Sequence, residues 1–172
     1  MDLERRIEHY SSLDGCGHEA LILDLLNDCK DDFVPSLDTR SSATDLDFSE
    51  TEDSGVVSYF LSLMSQPLFI TFNGRGDVVG MLSYDRDHIL PYEQGEATYV
   101  STLLISPKNR NGGLAERLYK ELMFLERDTP IALRTWGSNR SHLHLLEKLG
   151  FECTLRIKND RGTGIDTVYY RK

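Results

Sequence analysis

A chain of 172 residues is long enough for one compact domain with a full hydrophobic core, without disulfides or a structural metal. A net charge of −9 with no Lys/Arg stripe and no polybasic segment excludes nucleic acid and anionic membranes as expected partners. The acidic balance suits a cationic small molecule or basic peptide, or serves solubility alone.

Cys16, Cys29 and Cys153 are odd in number and far apart, and no C-x-x-C pair supports a zinc or thioredoxin-like site. Unpaired cysteines fit a reducing compartment. Cys29 and Cys153 stand among apolar neighbours and are expected to be buried thiols. The N-terminus is charged, without a signal-peptide core, and no run approaches the ~20 apolar residues of a membrane span. A cytoplasmic protein is expected.

Residues 1–66 read as a mainly helical part. The stretch before Gly15 (Ile7, His9) fits a short strand or an initial helix. Leu21, Ile22, Leu25, Leu26 and Cys29 recur at helical spacing. Pro35 to Asp53 is Ser-, Thr- and Asp-rich and reads as a loop. A second helix is expected over Ser54–Ser65, carrying Val57, Phe60, Leu61 and Met64, with Pro67 as its stop. Leu68–Phe72 and Val78–Tyr84 flank an Asn73–Asp77 turn cluster as a hairpin. After a polar loop, Thr98–Ser106 is a third strand, with Tyr99, Ser101, Leu103 and Ile105 on one face.

Leu114, Leu118, Leu122 and Leu125 then mark an amphipathic helix. Ile131–Arg134 is a short strand, and Ser138–Leu149 a helix with Ser138 as N-cap, Leu145, Leu146 and Leu149 inward, and Gly150 as its stop. Phe151–Lys158 and Ile165–Arg171 close the chain as a hairpin, with one of Tyr169 and Tyr170 expected inward and the other outward. This order predicts one mixed α/β (α+β) domain, a largely antiparallel sheet flanked by helices, not a doubly wound fold. Residues 67–172 form its core.

The chemically informative junction is the strand end, Pro107-Lys108-Asn109-Arg110, then Asn111-Gly112-Gly113-Leu114-Ala115 opening a helix. A helix N-terminus exposes unpaired N–H groups and the positive end of its dipole. Glycine lets an anion approach the backbone, and Arg110 adds charge, so the junction suits a phosphate or diphosphate. A Gly-rich turn also serves a tight strand-to-helix connection for its own geometry.

Arg110, Gly113 and Ala115, after Ile105-Ser106-Pro107, resemble the Arg/Gln-x-x-Gly-x-Gly/Ala signature of the GNAT (N-acetyltransferase) superfamily. Asn139, Leu145, Glu147, Lys148, Leu149, Gly150 and Phe151 resemble its second segment, an Asn-opened helix closing on Leu-Gly-Phe. The resemblance spans about Leu68 to Lys172. It implies acetyl-CoA as co-substrate and no metal, with the amides of Asn111, Gly112, Gly113, Leu114 and Ala115, together with Arg110, on the CoA diphosphate. Backbone groups of Leu103 and Ile105 would pair with the pantetheine arm, and an N–H near Leu103 would polarise the thioester carbonyl. Asn139 would bond the pantetheine, cap its helix, or both. The acceptor would be a small-molecule or peptide amine, with the N-terminal part (around Arg40, Ser41 and Ser42) on the acceptor side. The last strands could pair with a second copy as a homodimer.

An ammonium acceptor must lose a proton before attack. Glu96 is the first candidate base and Glu93 the second, although both also read as solvated loop acids. Many members carry a Tyr in the second segment where this chain has Leu146, so the usual general acid is missing. His142 and His144 lie nearby and read as solvated helix residues. Trp136 either lines the acceptor cleft or has a core or rim packing role. The leading reading is an enzyme that moves an acetyl group to a primary amine by direct attack. The alternative is a non-catalytic acyl-CoA-binding or regulatory domain.

Overall fold

The computed structural model describes residues 5–39, 55–92 and 94–172. In chain order the elements are β1 (Arg6–Tyr10), α1 (Glu19–Cys29), α2 (Val56–Ser62), β2 (Leu68–Phe72), β3 (Val78–Asp85), β4 (Thr98–Ile105), α3 (Leu114–Leu125), β5 (Ile131–Trp136), α4 (Arg140–Lys148), β6 (Glu152–Ile157) and β7 (Thr167–Arg171). Short 3-10 turns lie at Lys30–Asp32, Leu37–Thr39 and Pro107–Asn109. The seven strands hydrogen-bond in the order β1-β2-β3-β4-β5-β7-β6. Among the registers described, β4 with β5 is parallel and the others are antiparallel. The mixed, largely antiparallel α/β sheet expected from the sequence is therefore what forms.

Contacts divide the chain into two units, Met1–Tyr84 with Ser101–Tyr119, and Asp85–Val100 with Lys120–Lys172. In the first unit β1 pairs with β2 from Arg6↔Phe72 to Tyr10↔Leu68, so the stretch before Gly15 is a strand. All five β2 residues are buried, as a strand with neighbours on both edges and cover on both faces requires. Ile22, Leu25, Leu26 and Cys29 of α1 pack with Tyr59, Phe60 and Leu63, and with Leu68, Ile70, Met81 and Leu104 of the sheet. Leu21, expected on the buried face of α1, is 43% exposed. In α2 the buried face is Val56, Tyr59 and Phe60, while Val57 and Leu61 point outward, one helical step away from the expected stripe. Tyr59 decides that rotation: its hydroxyl is 2.8 Å from Thr102 Oγ1, which satisfies the polar end of a buried ring. Ser54, placed at the start of this helix, lies outside the described residues.

In the second unit, Leu90, Ala97, Tyr99, Ala132 and Tyr169 form a core against Leu155 and Ile157. Tyr169 and Tyr170 are both buried, contrary to the one-in, one-out expectation. β7 lies between β5 and β6, and Tyr170 on its other face packs under α4 with its hydroxyl on Glu147 Oε1 at 3.3 Å. Cys153, expected buried, is exposed because β6 is the last strand of the sheet. Along α3, Leu114, Leu118, Tyr119 and Leu122 are buried, whereas Leu125 is 41% exposed. The inward position at the end of that helix belongs to Glu126. No described helix is long and apolar enough to cross a membrane.

Candidate active site

β4 positions the first part of the site. Its parallel register with β5 comprises three pairs, Thr98↔Ile131, Tyr99↔Ala132 and Val100↔Leu133. Along the remainder, Thr102 and Leu104 are buried, while Ser101, Leu103 and Ile105 are half-buried on the alternate face. Ser101 is tied down by polar contacts that sequence reading did not find: its hydroxyl donates to Gln66 Oε1 and lies 2.9 Å from Ser83 Oγ. Nothing local in the sequence announces a bond between residues 35 positions apart.

The glycine loop follows. Pro107–Asn109 makes one 3-10 turn, Arg110 is extended, and Asn111 and Gly113 take left-handed φ of 61° and 72°. That conformation is natural for Gly and tolerable for Asn. The helix hydrogen bonds begin with Arg117 N–H to Gly113 O at 3.1 Å. Among the described residues, the N–H groups of Asn111, Gly112, Gly113, Leu114 and Ala115 have no main-chain acceptor. Asn111, Gly112 and Gly113 are exposed, and a Cβ built at Gly113 meets nothing within 4 Å. Unpaired amides at a helix start, exposed at Asn111, Gly112 and Gly113, are what a diphosphate needs, so these residues fit the group that the resemblance implies.

Arg110 does not point freely into solvent. It donates Nε–H to the Ile105 carbonyl at 3.0 Å and forks onto Asp32, with Nη2 2.5 Å from Oδ2 and Nη1 3.4 Å from Oδ1. Nη2 also lies 3.8 Å from the Cys29 thiol. The Asp32 carboxylate holds the guanidinium more firmly protonated than an isolated arginine. Burial pushes the Cys29 thiol up, against the pull of Arg110 in the other direction. Asp32 is 78 positions from Arg110, and the sequence carries no signal of the pair. On the other side of the loop, Arg5 places Nη1 3.4 Å from the Gly112 carbonyl.

Asn139, Glu96, Leu146, His142, His144 and Trp136 belong to the second unit. Asn139 is the N-cap residue of α4 by position, with its carbonyl accepting Leu143 N–H at 3.0 Å. Its side chain makes no capping bond, and Ser138, expected as the cap, is one residue too early. Glu96 is exposed; its carbonyl accepts from Arg171 at 3.2 Å and the residue bridges to Ile89. Glu93, Arg40, Ser41 and Ser42 lie outside the described residues. Leu146 is fully buried in the core. His142 departs from the solvated reading: it is half-buried with Nδ1 3.4 Å from Thr135 Oγ1, and loss of hydration lowers its pKa to about 4. His144 is exposed. Trp136 is the last residue of β5, with the Arg161 guanidinium 5.5 Å from its ring centre.

The family model described as the acetyltransferase (GNAT) family matches residues 22–151, about three quarters of the chain and both of the segments just described. The chain belongs to the GNAT acetyltransferase family. Solved structures agree on the fold. An N-acetyltransferase from Staphylococcus aureus Mu50 superposes with a TM-score of 0.68 at 16% identity, covering 98% of each chain. The ribosomal-protein-alanine N-acetyltransferase of Brucella melitensis gives 0.67 at 18% identity, over 97% of this chain and 98% of that one. The Salmonella typhimurium protein yncA, solved with its cofactor acetyl-CoA, gives 0.67 at 15% identity, over 98% and 93%. A search of curated proteins finds no match. At these identities the structural likeness establishes the GNAT fold, and within it the glycine loop occupies the strand-to-helix junction between β4 and α3.

Proposed function

We propose that this GNAT protein is an N-acetyltransferase that moves an acetyl group from acetyl-CoA to a primary amine by direct attack. The observation that carries the reading is the run of five loop amides, Asn111 to Ala115, without main-chain acceptors at the start of α3. These amides would hold the diphosphate, with Gly113 admitting the close approach. The main-chain groups of Leu103 and Ile105 would receive the pantetheine arm, and the N–H at Leu103 would polarise the thioester carbonyl. The Ile105 carbonyl already accepts Arg110 Nε–H, which orients the end of β4 beside the loop. Asn139, whose side chain is not used in capping, would add an amide to the pantetheine.

The exposed carboxylate of Glu96 would take the ammonium proton directly or through water, with Glu93 next in line. Neither protein nor ligand chemistry in this scheme requires a metal. A second reading, an acyl-CoA-binding domain without turnover, is favoured by one observation: Leu146 is a buried core residue and supplies no proton donor. CoA thiolate is a tolerable leaving group, which keeps the enzymatic reading ahead.

Calorimetric titration with acetyl-CoA tests the shared part. The wild type should bind and Gly113→Glu should not, because the added carboxylate repels the diphosphate. A folded wild type that fails to bind would sink both readings. Turnover against a panel of amines then separates enzyme from binding domain, and loss of turnover with retained acetyl-CoA affinity in Glu96→Gln would assign the base.

A further inference from the structure

The charge at this loop is distributed differently from what its motif suggests. Arg110 directs Nε to the Ile105 carbonyl and both Nη atoms to Asp32, so its charge already faces a carboxylate and three of its donors are in use. Arg5 has a different environment. It lies immediately before β1, and its guanidinium rests on Gly112 so closely that a Cβ there would come within 2.5 Å of Nη1. The φ of Gly112 is outside the left-handed range, so backbone conformation does not demand glycine there, and a Cβ would displace only the flexible end of Arg5. The Gly112 carbonyl at 3.4 Å is the guanidinium's sole hydrogen-bond partner among the described residues. No described carboxylate lies within ion-pair distance of it. A guanidinium carries five N–H donors in a fork that matches phosphate oxygens. Arg117, in the first turn of α3, donates Nη2 to the Arg5 carbonyl at 3.2 Å and fixes this residue beside the loop.

We infer that Arg5 is a cofactor-binding residue whose guanidinium, held on Gly112 beside the unpaired amides, takes a phosphate of the acyl-CoA. Arg110 is then a positioning residue that ties the loop to the end of β4 and to Asp32. The inference rests on the acyl-CoA reading of the loop. The diphosphate and the 3′-phosphate present the same anionic oxygens, and the ligand series below tells them apart.

The test titrates acetyl-CoA, acetyl-dephospho-CoA and S-acetylpantetheine into the full chain and its Arg5→Gln, Arg6→Gln and Arg110→Gln variants. Thermal unfolding is recorded beside each. Arg6 is the control, since its guanidinium faces Glu8 at 2.5 Å and the Phe72 ring at 4.9 Å. Losing one charge-assisted fork should weaken acetyl-CoA roughly tenfold or more in Arg5→Gln. S-acetylpantetheine, which has no phosphate, should bind that variant as it binds the wild type, and Arg6→Gln should change neither. A loss that vanishes with acetyl-dephospho-CoA places Arg5 on the 3′-phosphate, and one that persists places it on the diphosphate. Arg110→Gln should weaken acetyl-CoA and S-acetylpantetheine together, as loosening the end of β4 requires. Unchanged acetyl-CoA affinity in Arg5→Gln, or equal loss for S-acetylpantetheine, overturns the assignment. A wild type that binds none of the three strikes the acyl-CoA reading itself.

Discussion

Each unit of this protein contains arginine–carboxylate pairs, and one taken from each differs in burial. In the first, Arg110 and Asp32 are 39% and 48% exposed at the glycine loop. In the second, Glu126 is only 7% exposed while Arg86 is 52% exposed. Glu126 receives Nε and Nη2 of Arg86 on one oxygen, at 2.9 and 2.6 Å, and the Thr98 hydroxyl on the other at 2.9 Å. A buried carboxylate has lost its hydration and depends on these donors, whereas water can replace either partner of the exposed pair. The same chemical contact is thus a structural requirement in one place and an adjustable tie in the other.

The largest effect is expected where the buried acid loses its partner. Arg86→Ala should cost about 3 kcal/mol of unfolding free energy, read by denaturant titration, because the buried Glu126 loses two charge-assisted donors. A cost below about 1 kcal/mol would remove the distinction between the pairs.

His142 sharpens the same point in the second unit. Its folded pKa of about 4 lies below the unfolded value near 6.5, so between these limits the unfolded chain binds more protons. Its contribution is fully present above about pH 6.5 and is lost as the pH falls toward 4, a total of about 3 kcal/mol from the size of the shift. The pH dependence of stability in His142→Asn should be flatter over that window. Identical slopes for variant and wild type would mean that loss of hydration does not keep the imidazole neutral.

The smallest effect is expected at the exposed pair. Asp32→Ala should change stability by less than about 1 kcal/mol, since solvent screens both groups. A loss as large as that of Arg86→Ala would show that the loop tie is structural after all.

Much of this protein was legible because local chemistry repeats at fixed spacing. The β2–β3 hairpin, the strand at Thr98, the helix from Leu114 and the closing hairpin follow from period-two and helical patterns, with Gly and Pro at their ends. The glycine loop was readable for the same reason, since the left-handed turn at Asn111 and Gly113 is a backbone conformation that nearby residues determine. What spacing could not decide is which neighbour a side chain meets. Val57 and Leu61 fit a helical stripe as well as Val56 and Phe60 do, until Tyr59 finds Thr102 across the core. Tyr170 and Cys153 have opposite fates on neighbouring strands because β7 lies inside the sheet and β6 at its end, an order not written in either segment. The partners of Arg110, Arg5 and Glu126 likewise come from 78, 107 and 40 positions away. Sequence determines conformation over a few residues through sterics and periodic burial. Contacts between distant segments depend on strand order and packing, and so only the tertiary structure decided where the charges of this GNAT loop point.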